Sequence, residues 1–265
     1  MKKVFLTIVA AALLGSVASA QNISVKTFTD SVGVTKKGFP IYTKVKVDFP
    51  LSGPQGAVNS VKSCLLDFYQ IDRSDVKDGK SYAHILAQNQ VNRLTEYFND
   101  NYEADDPLPP EISLDLLIEK AYESNTLVTY TLGGYEFLGG AHGTPTVYGV
   151  TFVKSDGAVL STYDIIDEDA WEQMQDKVAA SLRKFFDVKN NKELADELQG
   201  DGIICNGNSF YVPMAENPPF IINGEFVMIY SAYEIASFAA GLPEVRIPLK
   251  DIQGFLKPEF AKLVK

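Results

Sequence analysis

The chain has 265 residues, with 24 basic and 34 acidic side chains and a formal net charge of −10 at pH 7. This acidity, together with the lack of any block rich in lysine and arginine, excludes a nucleic-acid-binding protein, because such a protein needs a basic contact surface. The length is sufficient for a full hydrophobic core in one large domain or two small ones.

The first 20 residues have the pattern of a secretory signal peptide. Two lysines precede an apolar run that ends at Leu14, and small residues follow as far as Ala20. The apolar run is shorter than the roughly 18 residues that identify a membrane span. We therefore expect export to the periplasm or the medium, cleavage before Gln21 and no membrane span in the mature chain. Loss of the two lysines would change the net charge from −10 to −12.

Residues 21–110 predict a first α+β unit. Residues 41–49 alternate between apolar and polar side chains, which is the period of a half-buried strand. Apolar residues recur at three- and four-residue steps through 54–69 and, less regularly, through 82–98. Both patterns predict amphipathic helices, the first with Cys64 on its apolar stripe and the second with His84 beside it.

The middle of the chain predicts an antiparallel meander. Residues 113–123 fit a helix and a strand almost equally well. We interpret them as a strand, because Ser124-Asn125 then forms a hairpin turn into the β-branched run at 126–132. A similar run at 146–153 turns at Ser155-Asp-Gly157 into a short strand at 158–161.

The segment between these two runs, Tyr135-Glu-Phe-Leu-Gly-Gly-Ala-His-Gly143, is the first candidate site. Gly139, Gly140 and Gly143 permit a tight turn or a close backbone approach. His142 has two interpretations: a base or ligand on a shaped loop, or a structural residue whose ring donates to a backbone carbonyl. The structural interpretation is favoured, because no catalytic partner is adjacent in the sequence.

The C-terminal part continues the α+β pattern. A helical apolar stripe runs through 169–188 after a cap at Asp167 or Asp169, and a short acidic helix follows at 192–198. Strands are predicted at 210–213, at 220–230 with a turn at Asn223-Gly224, and at 245–248, and a helix or a pair of turns from 249 onward. We therefore predict an α+β fold in which antiparallel sheet is covered by amphipathic helices in two closely packed halves.

Recognisable catalytic motifs are absent from the sequence. It contains no G-x-S-x-G elbow, H-E-x-x-H pair, Walker loop or G-x-G-x-x-G after a strand. Two histidines and two cysteines at scattered positions give little basis for a zinc site, so neither a metal nor a cofactor is expected. Three alternatives stay open: Cys205 and His142 as nucleophile and base, Cys64 and Cys205 as a disulfide, and paired carboxylates for glycosidase chemistry.

Several motifs occur in an order that resembles a known family. They are Leu138-Gly-Gly-Ala-His-Gly-Thr144, Ser155-Asp-Gly157, Tyr163-Asp-Ile-Ile166, the pattern Y-x-I-A-x-x-A-x-G from Tyr233 to Gly241, and Val245-Arg-Ile-Pro248. They look like the domain of unknown function found in the extracellular part of the RsiV anti-sigma factor and in the PdaC peptidoglycan deacetylase. The resemblance covers about 110–256, and 23–105 is similar to a companion domain, so we divide the mature chain into 21–110 and 111–265.

The resemblance implies binding rather than catalysis. The RsiV exterior binds lysozyme, and the chemistry of PdaC belongs to a separate catalytic domain. This chain shows no sigma-binding segment, retained membrane helix or deacetylase domain, so neither whole-protein function carries over. We expect an exported cell-envelope protein that binds a lysozyme-like protein or a peptidoglycan component; the alternative is a hydrolase acting on a cell-wall polymer. The residues expected at the binding site are Tyr135, Gly139, Gly140, His142, Gly143 and Tyr233.

Overall fold

The structure is a computed structural model that describes residues 21–103, 110–167, 169–206 and 209–265. The expected signal peptide, residues 1–20, lies outside the described residues. Helices and strands both occur along the described chain, which confirms the α+β class. No helix in the described ranges is long and apolar enough to cross a membrane.

The N-terminal strands form a long hairpin. β1 (Ser24–Lys36) pairs antiparallel with β2 (Phe39–Ser52) through a turn at Lys37-Gly38, where both residues have positive φ. β2 alternates between buried and exposed side chains, as its sequence predicts. β1 is a strand that the hydrophobic pattern does not indicate, because it lies at the edge of the sheet and its side chains are exposed or half-buried.

Two helices connect β2 to the next strand. α1 (Gln55–Phe68) and α2 (Gly79–Asn101) confirm the helices predicted in this region, and β3 (Ile112–Glu123) confirms the strand interpretation of 113–123. Parallel neighbours need a crossover connection, and these two helices provide it. β2 and β3 therefore pair parallel, and the main sheet is mixed rather than purely antiparallel.

The expected meander completes the main sheet. β3 pairs antiparallel with β4 (Leu127–Phe137), and β4 pairs antiparallel with β5 (Thr144–Val153). Within the described residues this sheet has five strands in the order β1-β2-β3-β4-β5. The strand expected at 158–161 is reduced to a single bridge between Val159 and Phe152.

The single helix expected at 169–188 is interrupted. After α3 (Thr162–Ile165), the chain forms α4 (Ala170–Gln173) and α5 (Gln175–Phe185), which meet at Met174. The side chain of Gln175 is buried there and exchanges hydrogen bonds with the backbone of Val212, at 2.9 and 3.3 Å. The interruption thus coincides with a buried polar contact that the apolar stripe does not reveal.

The remaining elements are short and confirm most of the predicted pattern. They are α6 (Asn191–Glu197), β6 (Ile204–Asn206), β7 (Ser209–Tyr211), β8 (Phe220–Ile222), β9 (Glu225–Ile229), β10 (Glu244–Pro248) and α7 (Pro258–Leu263). β8 and β9 form a hairpin at Asn223-Gly224, and β9 also pairs with β10. In the described chain, β8–β10 form one small sheet, and β6 with β7 forms another.

Buried hydrophobic residues in the described ranges form two clusters. The first core contains residues from Ile23 to Phe152, and the second contains residues from Leu127 to Phe260. β4 contributes to both, with Tyr130 in the first core and Leu127 in the second. The expected boundary at 110/111 falls between α2 and β3, inside the region that the main sheet spans.

The small sheet of β8–β10 packs closely against the main sheet. A Cβ atom at Gly149 of β5 would lie 2.1 Å from the ring of Phe220, so that ring occupies the place of a side chain. Next to it, the backbone of Ile221 is bonded on both sides: its N–H donates to Thr151 Oγ1 at 2.9 Å, and its carbonyl accepts from Thr129 Oγ1 at 2.6 Å. These buried contacts join the two halves of the molecule.

Candidate binding surface

The turn between β4 and β5 is shaped by side chains at both of its ends. The hydroxyl of Tyr135 accepts a hydrogen bond from the backbone N–H of Gly143 at 3.1 Å. The hydroxyl of Tyr102, which follows α2, donates to the carbonyl of Leu138 at 2.9 Å. Gly139 has a φ of 82°, a conformation that glycine adopts without strain. The turn is therefore fixed at its start, its middle and its end.

Gly143 and Gly140 differ in the space around them. A Cβ atom at Gly143 would lie 2.6 Å from Cζ of Tyr135 and 2.7 Å from the carbonyl oxygen of Glu136. A Cβ atom at Gly140 would have nothing within 4 Å. Gly143 is thus required for close packing of the turn, whereas Gly140 faces open space.

His142 lies against an aromatic ring from a distant part of the chain. Its ring stacks on Phe238, with the centroids 3.6 Å apart and the planes inclined by 19°. Phe238 in turn contacts Tyr233, with centroids 5.6 Å apart. The structure therefore brings two predicted binding residues, His142 and Tyr233, onto one shared neighbour. We call His142, Tyr233 and Phe238 the aromatic surface; Tyr135 adjoins it through Gly143.

Tyr233 is held in an exposed position by its own turn. Its side chain is 62% exposed, and its φ of 71° lies in the left-handed region that bulky residues rarely adopt. The carboxylate of Glu234 accepts hydrogen bonds from the backbone N–H groups of Ser231 at 2.7 Å and Glu216 at 2.8 Å. Such backbone outliers persist only where surrounding contacts enforce them, and they concentrate at functional sites.

Phe238 is the member of this surface that the sequence patterns do not single out. It occupies a variable position in the Y-x-I-A-x-x-A-x-G pattern, and nothing local links it to His142. The structure shows it half-buried in a short 3-10 helix, 238–240, which ends at Gly241 with a φ of 77°. Its proximity to the glycine turn is a tertiary contact, which spacing along the chain does not encode.

The stacking of His142 differs from the expected structural role. We expected its ring to donate to a backbone carbonyl, and the structure shows an aromatic stack instead. Within the described residues, no hydrogen bond or ion pair joins His142 to an acidic or nucleophilic side chain. Glu136, which adjoins Tyr135, is paired with Arg93 of α2. The geometry therefore assembles a contact surface around His142 rather than an acid–base pair.

The two cysteines are free thiols, so the candidate disulfide is not formed. Cys64 packs against the first core, whereas Sγ of Cys205 on β6 donates to the backbone carbonyl of Asn191 at 3.2 Å. Burial raises the pKa of both thiols, and the nearby Asp67 adds to the effect at Cys64. A raised pKa keeps a thiol protonated at neutral pH, which is the opposite of what a nucleophile requires.

The largest cleft described lies away from the aromatic surface. A cleft of about 840 Å³ is lined by the β3–β4 turn, the β8–β9 hairpin and the C-terminal residues. His84 lies on a different, exposed surface, where its Nδ1 atom is 2.8 Å from a carboxylate oxygen of Asp30 on β1. In the part of the chain that the structure describes, no three His, Cys, Asp or Glu side chains are grouped so that they could hold a metal.

The fold is also found in solved structures of bacterial proteins. No protein-family model matches the sequence, and no curated protein matches it significantly. Similar solved structures include a DUF3298 family protein of Bacteroides fragilis NCTC 9343, with a TM-score of 0.65, 16% identity and coverage of 91% of this chain and 99% of that one. Another is a DUF3298 family protein of Pseudomonas aeruginosa PAO1, with a TM-score of 0.61, 16% identity and coverage of 91% and 97%. The likeness shows a shared fold, and DUF3298 denotes a domain of unknown function.

Proposed function

We propose that this chain is an exported, non-catalytic cell-envelope protein that binds its partner through the aromatic surface. The observation that carries the proposal is the stack of His142, Phe238 and Tyr233, which joins two distant segments and leaves His142 and Tyr233 exposed. Aromatic side chains are enriched in protein interfaces, because they offer a large contact area and lose little conformational entropy on binding.

A lysozyme-like protein is the first partner to test, and a peptidoglycan component is the second. Two arguments support lysozyme. The motifs around Gly139–Gly143 and Tyr233 resemble the lysozyme-binding exterior of RsiV, and the net charge of −12 expected for the mature chain would speed encounter with a cationic protein. The DUF3298 neighbours support the fold and leave the partner open.

The test is calorimetric titration of the mature protein with lysozyme. Tyr233→Ala and Phe238→Ala should each weaken binding by about tenfold or more, as expected for aromatic residues at the centre of an interface. Tyr163→Ala is the matched control, because Tyr163 is a 64% exposed aromatic residue on α3, outside the aromatic surface. An equal loss of affinity in the control would contradict the assigned surface.

Salt dependence tests the electrostatic part of the proposal. Association with lysozyme should slow as the Debye length falls from about 10 Å at 0.1 M salt to about 3 Å at 1 M. A salt-independent rate would mean that charge does not guide the encounter. No detectable binding at roughly 100 μM lysozyme, where even a complex worth about −5 kcal/mol would be seen, would remove lysozyme as the partner.

A further inference from the structure

We propose that a pocket beside the N-terminus of α2 binds a small amphiphilic anion, an alkyl chain that ends in a carboxylate. The pocket has a volume of about 340 Å³ and is lined by residues of β1, β2, α1 and the loop before α2. None of its lining residues belongs to the aromatic surface. The inference is therefore independent of the proposed function.

The inner wall of the pocket is apolar. Phe28 and Phe49 meet edge to face, with ring centroids 6.4 Å apart and planes at 83°, and the buried Leu66 also lines the pocket. Leu51 also lines the pocket and is 51% exposed, so it lies at the mouth. Covering this wall with an alkyl group would remove apolar surface of both the wall and the ligand from water, which favours binding.

Gly79 fixes the position of this aromatic wall. A Cβ atom there would lie 2.4 Å from Cε2 of Phe28 and 2.8 Å from Cβ of Phe49. The missing side chain lets Phe28 pack directly on the first turn of α2. The wall is therefore formed before any ligand binds.

The rim of the pocket is basic, in contrast with the acidic chain as a whole. Lys62, Arg73 and Lys77 line it, and within the described residues none of these three forms an ion pair. Lys62 Nζ lies 5.3 Å from the centroid of the Phe49 ring, and a guanidinium nitrogen of Arg73 donates to Ser63 Oγ at 2.7 Å. These contacts place two cations beside the apolar wall without neutralising them.

Asp78 is the acidic residue in the pocket lining, and its carboxylate is already hydrogen-bonded to the backbone of α2. It caps α2 by accepting a hydrogen bond from the backbone N–H of Ser81 at 2.8 Å. Basic rim and apolar wall together match a carboxylate attached to an alkyl chain.

The size of the pocket limits the ligand. Its volume of about 340 Å³ lies near the lower end of ligand cavities, which run from about 300 to 1,000 Å³. A long lipid tail would leave much of its length in water. A medium-chain carboxylate such as decanoate is therefore the appropriate probe.

The experiment compares three probes with the same alkyl chain by calorimetry: decanoate and decyltrimethylammonium below their critical micelle concentrations, and decanol below its solubility limit in water. We expect decanoate to bind at least about tenfold more tightly than either of the others. The double variant Arg73→Ala/Lys77→Ala should lose this preference while still binding decanol. Leu51→Glu, which places an acid at the exposed mouth, should abolish decanoate binding.

The matched control is Lys184→Ala/Lys192→Ala, which removes two exposed lysines from α5 and α6 and should leave decanoate binding unchanged. Equal affinity for decanoate and decanol, or equal losses in the two double variants, would overturn the proposed anion site. An absence of decanoate binding to the unaltered protein would also overturn it.

Discussion

Gly143 and Gly140 occupy the same turn, and the space around them predicts opposite responses to substitution. Gly143→Ala forces a Cβ atom into the 2.6 Å gap beside Tyr135, so we expect a loss of stability of about 1–3 kcal/mol and a disturbed aromatic surface. Gly140→Ala is the control and should leave the free energy of unfolding nearly unchanged, since its Cβ meets no atom within 4 Å. Urea denaturation of both variants measures the difference, and equal losses would contradict it.

Glu123 is the acid of a buried ion cluster. Its carboxylate pairs with Lys154 at 2.9 Å and Lys120 at 2.8 Å and accepts a hydrogen bond from the N–H of Ile23 at 2.7 Å. Lys154 is only 2% exposed, so Glu123 supplies its counter-ion away from bulk water. Burial acts to raise the pKa of Glu123, but the bonds from Lys120, Lys154 and Ile23 outweigh burial and hold the pKa below its ordinary value.

This lowered pKa predicts an acid-dependent loss of stability. A carboxyl group whose pKa is lower in the folded state stabilises the fold above its unfolded pKa, about 4.3 for glutamate, and the contribution disappears as pH falls through the folded pKa. Glu123→Gln should cost on the order of 3 kcal/mol at pH 7, because it leaves Lys154 buried without a counter-ion. The variant should also unfold with a shallower dependence on pH in the acid range.

The control for Glu123 is Glu259→Gln, which alters a highly exposed pair with Lys262 at 3.7 Å. Exposed pairs contribute little, so its unfolding curves should follow those of the unaltered protein at every pH. Denaturant midpoints from pH 7 down to about 3 test both variants. A Glu123→Gln protein that keeps the original acid sensitivity would show that another group is responsible.

The α2 helix depends on a capping box at its start. The side chain of Asp78 accepts from the N–H of Ser81, and the hydroxyl of Ser81 accepts from the N–H of Asp78 at 2.9 Å. Asp78→Ala should lower the free energy of unfolding by about 1 kcal/mol, because the N–H of Ser81 in the first turn loses its side-chain acceptor. Asp75→Ala, an exposed acid in the same loop, is the control and should change stability by less than about 0.5 kcal/mol. Thermal melts of both variants decide the prediction.

Hydrophobic periodicity predicts those elements whose one face is buried. β2 and α1 have such faces, and the sequence places both within a few residues of their observed ends. β1 carries many polar residues along an exposed edge of the sheet, so no hydrophobic periodicity identifies it as a strand. The parallel pairing of β2 with β3 depends on the path of two intervening helices, and the break at Met174 coincides with hydrogen bonds between Gln175 and the distant backbone of Val212. Neither feature can be predicted from the sequence close to it.

The candidate site, too, is only partly predictable from the sequence. Tyr135, His142 and Tyr233 stand in conspicuous sequence patterns, and the structure places His142 and Tyr233 against the same ring. That ring, Phe238, has no such signal, because its contacts with His142 and Tyr233 are tertiary. Local chemistry thus singles out the two segments, and only the folded chain shows that they meet.

At the scale of the whole molecule, the two cores share one sheet. Residues of β4 contribute to both cores, and β2 from the N-terminal part pairs with β3 from the C-terminal part. A fragment of residues 111–265 should therefore fail to fold alone, because it loses the partner of β3 and the helices that cover the first core. Circular dichroism and amide NMR dispersion of the fragment and of the mature chain measure this. A well-dispersed spectrum for the fragment would establish an independent C-terminal domain.

The contact of Phe220 with Gly149 also limits which residues can replace either one during evolution. The ring fills the volume that the side chain of any other residue at position 149 would need, so the packing of β5 against β8 depends on both residues. A larger residue at 149 is compatible with the same backbone only if residue 220 becomes smaller. Among distant chains that share this fold, we expect the two positions to vary together. A large side chain at one position should occur with a small side chain at the other. Their covariation would preserve how the halves fit even after most of the sequence has changed.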